Sequence, residues 1–183
     1  MSTPLQLPHL EDPPLVLRAF TGQDAPLIRE VWTDALIPLI ATVPADPGVE
    51  AARAFIGRQH ARLTSGQGYS FAIADAASGE ALGQIGLWLH DLTQGRAGVG
   101  YWVAARHRGR GTSRHALQMI STWGLSLPGV HRLELYVEPW NEGTWRVAEQ
   151  ARYQREGLLR SWQAVGGQRR DMYMYSRLAP HQP

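Results

Sequence analysis

Hydrophobic periodicity switches repeatedly along this chain, and the switches divide it into strands and helices. Leu15-Val16-Leu17-Arg18-Ala19-Phe20 alternates with the period of a strand. Leu27, Ile28, Val31 and Trp32 then recur at helical spacing, with Thr21 or Asp24 as the N-cap. The apolar segment from Ala35 to Gly48 is broken by Pro38, Pro44 and Pro47, which predicts a loop over a cleft rather than a helix. Helical spacing resumes through Ala52, Phe55, Ile56, Gln59 and Leu63. Residues 69–74 and 82–88 read as two strands around the turn Ala77-Ser78-Gly79-Glu80, and Thr93-Gln94-Gly95-Arg96 returns the chain into a third.

That third strand points Val99, Tyr101 and Val103 to one face and Gly100, Trp102 and Ala104 to the other. Both faces are apolar, so the strand is expected at the centre of its sheet. After the loop Arg106 to Gly111, the residues Ala116, Met119, Ile120, Trp123 and Leu127 mark a helix, and Pro128-Gly129 ends it. Residues 131–138 alternate strictly, Leu133, Leu135 and Val137 opposing Glu134, Tyr136 and Glu138. Strand, helix and strand in succession imply a right-handed crossover and parallel pairing. Asn141 can cap a helix carrying Trp145, Ala148 and Ala151, and residues 154–165 and 169–178 flank Gly166-Gly167 as a final hairpin. The expected fold class is α/β (α+β): one domain, 15–178, with a mixed sheet of about seven strands. Residues 1–14 read as a poorly ordered tail and 179–183 as a short C-terminal one.

Composition removes several chemistries. There are no cysteines, which excludes disulfides, thiolate metal sites and cysteine nucleophiles. The seven histidines lack paired ligand spacing, so no metal is expected. All 18 basic residues are arginine, which rules out lysine Schiff bases. No signal sequence and no membrane-length apolar run are present, so a cytoplasmic protein without membrane contact is expected. A net charge of +2 is too small to argue for nucleic acid.

The Arg/Gly loop is the strongest candidate for chemistry. It places the unpaired amides and positive dipole end of a helix at one point, which attracts anions. Gly109 and Gly111 have no Cβ, so a phosphate can approach the main chain, and Arg106, Arg108 and Arg110 add charge. This reads as a site for a pyrophosphate. No Gly-Lys-Ser/Thr tripeptide and no three-glycine dinucleotide fingerprint occur.

Arg106-x-x-Gly109-x-Gly111 between a strand and a helix resembles the coenzyme A loop of the GNAT acetyltransferases. With the segment Pro139 to Arg160, together with His131-Arg132-Leu133-Glu134, Gly100-Tyr101-Trp102-Val103 and Arg170-Asp171, the chain is similar to their ribosomal-protein N-terminal acetyltransferase (RimJ/RimL-type) branch. The similarity spans Leu15 to Leu178. One departure is Ala151-Arg152-Tyr153, where the branch has Leu-Gly-Phe, so the turn after that helix is expected to differ.

The resemblance implies a GNAT fold with helices on both sheet faces and acetyl-CoA as cosubstrate. It places the pyrophosphate on Arg108, Gly109, Arg110, Gly111, Thr112 and Ser113, and the pantetheine arm along Tyr101 to Val103. Asn141 would bond the arm from the other side, with Thr144 nearby, although Asn141 can equally cap its helix. An amine attacks the thioester directly. Glu134 is the first candidate base, on the expectation that a partly apolar cleft raises its pKa; a structural ion pair with an arginine is the competing role. Tyr136 would hold a water or act as the acid, and Glu138 is expected to be solvated. Trp88, His90, Asp91 and the segment 37–44 are assigned to the acceptor side, and Asp171 either draws in a cationic amine or pairs with Arg170. The acceptor is a protein N-terminus or a small amine such as an antibiotic or polyamine, and a homodimer is compatible with the branch. Two other classes compete: a coenzyme A-binding module without catalysis, and a nucleic-acid binder using Arg106, Arg108, Arg110 and Arg114.

Overall fold

The computed structural model describes residues 5–44 and 48–180. Eight strands form one sheet: β1 (Leu10–Asp12), β2 (Leu15–Arg18), β3 (Gly68–Asp75), β4 (Ala81–Trp88), β5 (Arg96–Val103), β6 (Arg132–Val137), β7 (Gln154–Val165) and β8 (Gln168–Leu178). Their order is β1-β2-β3-β4-β5-β6-β8-β7. The β5–β6 pair is parallel and the other neighbours are antiparallel, as the strand-helix-strand pattern requires. The helices are α1 (Ala25–Val31), α2 (Ile37–Ile40), α3 (Val49–Thr64), α4 (Thr112–Gly124) and α5 (Glu142–Gln150).

β1 raises the strand count above the expected seven, and it falls in the segment read as a tail. Three residues are too few to show a period, yet Leu10 pairs opposite Leu17 and His115 Nε2 lies 2.8 Å from Asp12 Oδ2. The proline-broken stretch contains one helical turn, α2. Pro38 is tolerated there because a first turn leaves its amides unpaired, and Asp34 Oδ1 accepts the free amides of Leu36 (2.9 Å) and Ile37 (3.0 Å). Pro47 lies outside the described residues. Asp24 ends a 3-10 turn before α1, where it accepts the Thr21 amide at 2.7 Å and pairs with Arg18 at 2.8 Å.

β5 is central, and each of its faces meets a separate core. Val99 and Val103 pack with Leu117 and Ile120 of α4 and Ala148 of α5. Trp102 and Ala104 pack with Phe20, Ile28 and Phe55 on the side of α1 and α3. A polar chain crosses the second core fully paired: Trp102 Nε1 donates to Gln84 Oε1 (2.7 Å), and Gln84 Nε2 donates to Gln59 Oε1 (2.8 Å) and Ser70 Oγ (2.8 Å).

The parallel pair opens part-way along. Arg96, Ala97 and Gly98 pair with Arg132, Leu133 and Glu134, and beyond that point β5 and β6 pair only with their outer neighbours. The gap between Val99–Val103 and Leu135–Val137 is where the cleft lies. Among the described residues no helix is long and apolar enough to cross a membrane, and no group of three His, Asp or Glu is placed to hold a metal ion.

Candidate active site

The cleft has two ends. One is a cavity of about 870 Å3 bounded by Tyr101 to Val103, the loop His107 to Arg114, and α5 residues Thr144 and Val147. The other, about 370 Å3, is bounded by Trp88, Arg96, Glu134 to Glu138 and Met172. Leu36, Ile40, Tyr101, Asn141 and Thr144 border both, so the two join across the gap in the sheet.

At the larger end, Gly109 (φ 75) and Gly111 (φ 80) are both left-handed, a conformation glycine adopts without a Cβ penalty. No side chain caps the start of α4, so its first-turn amides are free to meet a ligand. Two of the loop arginines have structural partners instead. Arg108 donates from Nε to the Val103 carbonyl (2.9 Å) and from a terminal nitrogen to Asp34 Oδ2 (2.6 Å). Arg106 lies 3.2 Å from Glu30 and 3.1 Å from Glu80. Arg110 and Arg114 have no ion pair among the described residues and remain available to an anion. Burial alone would raise the Asp34 carboxyl, but the Leu36 and Ile37 amides and Arg108 outweigh it and hold the group below its ordinary range.

Asn141 caps α5, accepting the Thr144 amide at 3.2 Å, and still borders the cleft. The Tyr101 hydroxyl is buried beside Thr144 without a well-formed hydrogen bond, and burial pushes its pKa well above the usual tyrosine value. It therefore stays protonated at neutral pH.

At the smaller end, Glu134 combines the two roles read for it. Its carboxylate borders the cavity at 8% exposure, yet both oxygens are engaged: Oε1 accepts from Arg132 Nε and Oε2 from the Tyr136 hydroxyl, each at 2.7 Å. Arg132 continues to Glu156 at 2.6 Å. Burial, and then the hydrogen bond to Glu134, push the Tyr136 phenol up to about 12. Glu138 departs from expectation: it is buried rather than solvated, with Arg170 from β8 3.6 Å away and Leu36 and Leu39 across a small cavity from it.

Trp88, His90 and Asp91 all border this cavity. The Trp88 indole lies across Gly86, Gly98 and Gly100, and a Cβ on Gly86 would come within 2.3 Å of the ring. The Arg62 guanidinium lies over the same indole, 4.6 Å from the ring centroid. Asp91 is 3.6 Å from Arg96, whose buried Nε has no hydrogen-bond partner. Arg96, Gln163 and Met172 were absent from the sequence-based assignment. They reach the cavity through strand register, which no local pattern reveals.

At Ala151-Arg152-Tyr153 the helix closes in the kind of left-handed turn that a glycine would give. Arg152 takes the left-handed conformation itself (φ 66), with Tyr153 N donating to Ala148 O (3.0 Å) and Arg152 N to Glu149 O (3.0 Å). Tyr153 is buried, its hydroxyl 2.8 Å from Ser121 Oγ.

The profile of the family described as acetyltransferase (GNAT) domain matches residues 14–154, which contain the loop, the opened strand pair and α5. The chain belongs to the GNAT acetyltransferases. Among GNAT relatives it is 29% identical over 164 residues to the protein named uncharacterized N-acetyltransferase p20 of Bacillus licheniformis, covering 90% of this chain and 92% of that one. The structure of Mycobacterium smegmatis RimJ in complex with CoA-disulfide superposes with a TM-score of 0.78 at 26% identity, over 94% of this chain and 87% of RimJ. A spermidine N-acetyltransferase SpeG chimera from Vibrio cholerae and hSSAT shares the fold, with a TM-score of 0.73 at 17% identity over 91% of this chain and 96% of the chimera. As a GNAT member with N-acetyltransferase relatives, the chain is an acyltransferase.

Proposed function

We propose that this enzyme transfers the acetyl group of acetyl-CoA to a protein N-terminal α-amine. The observation that carries the reading is the cleft itself, which runs from the uncapped start of α4, through the gap between β5 and β6, to the Glu134–Tyr136 pair. Amides 109–113 would take the diphosphate, with Arg110 and Arg114 adding charge. The pantetheine arm, an amide chain, would lie along the free edge of β5 at Tyr101 to Val103, with Asn141 and Thr144 opposite.

The amine lone pair attacks the thioester carbon, the C–N bond forms, and the C–S bond breaks with departure of the thiolate. An α-amine of pKa about 7.7–8.0 is roughly a tenth neutral at pH 7, whereas a lysine amine of about 10.4 is less than one part in a thousand neutral. Little basicity is then needed for an α-amine, which suits a Glu134 whose oxygens are already bonded. Its charge, held by Arg132 and Tyr136, orients the ammonium and receives its proton. Tyr101, which borders both cavities and keeps its proton, would offer a hydrogen bond to the departing thiolate rather than transfer its proton. The carboxylates of Asp91, Glu134 and Glu138 around the cavity also favour a second reading, a small polycationic amine.

Free-thiol release from acetyl-CoA tests both, using a panel of short peptides with free N-termini, spermidine and an aminoglycoside. The expected result is kcat/KM at least about tenfold higher for peptides. Faster turnover of spermidine would select the second reading, and tight acetyl-CoA binding with no product from any amine would reduce the chain to a binding module.

A further inference from the structure

The β7–β8 ladder is irregular at two places, between Arg155 and Gly157 and between Leu159 and Gln163, and the second adjoins the cleft at Gln163 and Met172. Leu159 stands opposite Met172 and Gln163 opposite Arg170, so Arg160, Ser161 and Trp162 share Asp171 as their only counterpart. Ser161 is forced to a positive φ of 52, which side chains other than glycine rarely adopt. Asp171 Oδ1 accepts the Ser161 amide at 2.7 Å and braces the bulge, while Arg170 lies 3.6 Å from Glu138.

The bulge delivers Trp162 onto Tyr136, the rings stacked with centroids 5.6 Å apart at 27°. Tyr136 borders the smaller cavity and bonds Glu134 there. Trp162 is nonetheless 50% exposed; it does not itself line the cavity, but its stacking partner Tyr136 and its chain neighbour Gln163 both do, which puts its open indole surface on the outer margin of that rim. Ile40, at the end of α2, is 42% exposed and also borders that cavity. The carboxylates around it are partly offset within the protein, Asp91 lying 3.6 Å from Arg96 and Glu138 3.6 Å from Arg170. The exposed apolar surface of Ile40 and Trp162 on that rim fits an apolar group next to the amine.

We infer that Trp162 is a specificity-determining residue: its open indole surface receives an apolar or aromatic side chain on the residue that follows the acetylated amine. The inference rests on the amine-acceptor reading and narrows it to polypeptide N-termini with such a residue in second position.

The full chain loaded with coenzyme A is titrated calorimetrically with Ala-Phe-Gly-amide and Ala-Gly-Gly-amide, and acetylation of both is measured separately. Wild type should bind the phenylalanine peptide about tenfold more tightly, the scale of one added aromatic contact. Trp162→Ala should abolish that preference and leave the affinity for the glycine peptide within about twofold, while Trp162→Phe should retain most of it. Equal affinities in wild type, no binding of either peptide, or a preference that survives Trp162→Ala would overturn the inference. So would an equal loss of binding and kcat for both peptides in Trp162→Ala, since the indole would then only prop Tyr136. Selective binding without acetylation would instead remove the transferase reading and leave the subsite standing.

Discussion

The two ends of the cleft are made of different materials. The diphosphate end is main chain: two left-handed glycines and an uncapped helix start, with Arg106 and Arg108 turned away to brace acidic residues. The acceptor end is side chain: Trp88 from β4, Arg96 from β5, Glu134 and Tyr136 from β6, Gln163 from β7 and Met172 from β8. An amide site is sensitive to bulk and negative charge at a few backbone positions, and tolerant of exchanges at the arginines around it. A side-chain site is the reverse, because each group depends on its neighbours for position.

The largest expected effect breaks the first end alone. Gly109→Glu places a side chain and a negative charge where phosphate belongs, and coenzyme A affinity should fall by roughly 100-fold or more in titration calorimetry. Arg106→Ala, which removes a brace to Glu30 and Glu80, should change it by less than about threefold. At the other end, Glu134→Gln should lower kcat by about 100-fold with coenzyme A affinity unchanged. Unaltered kcat would leave Glu134 only its ion pair with Arg132.

Asp34 links the ends, since it holds both the start of α2 and Arg108. Asp34→Asn should cost about 1–2 kcal/mol at pH 7 in urea unfolding. Because the folded carboxyl titrates below its unfolded value, this contribution is complete above about pH 4 and is lost as pH falls through the folded pKa. The gap between wild type and variant should therefore close in acid. The smallest effect is at the end of α5, where Arg152→Gly relieves a left-handed arginine and should stabilise the fold by about 0.5–1 kcal/mol without touching either end.

This contrast also explains what was readable. The strand–loop–helix unit around Gly109 is contiguous, so a change of period and two glycines were enough to locate it. Glu134 was half legible: Arg132, Glu134 and Tyr136 alternate onto one strand face, and that spacing already contains the pairing the structure shows. Burial of Glu138 was not legible, because its neighbour Arg170 comes from β8, more than thirty residues away in sequence. β1 and α2 are too short to carry a period. Trp162 was invisible for a different reason: its place depends on a slip in β7 that alternation conceals.

The most direct test is a crystal structure with coenzyme A bound. The diphosphate should accept hydrogen bonds from the amides of residues 109–113, with the pantetheine arm along Tyr101 to Val103 and its sulfur near the Tyr101 hydroxyl in the gap between β5 and β6. A nucleotide seated elsewhere, with the α4 amides meeting only solvent and the strand gap empty, would contradict the account.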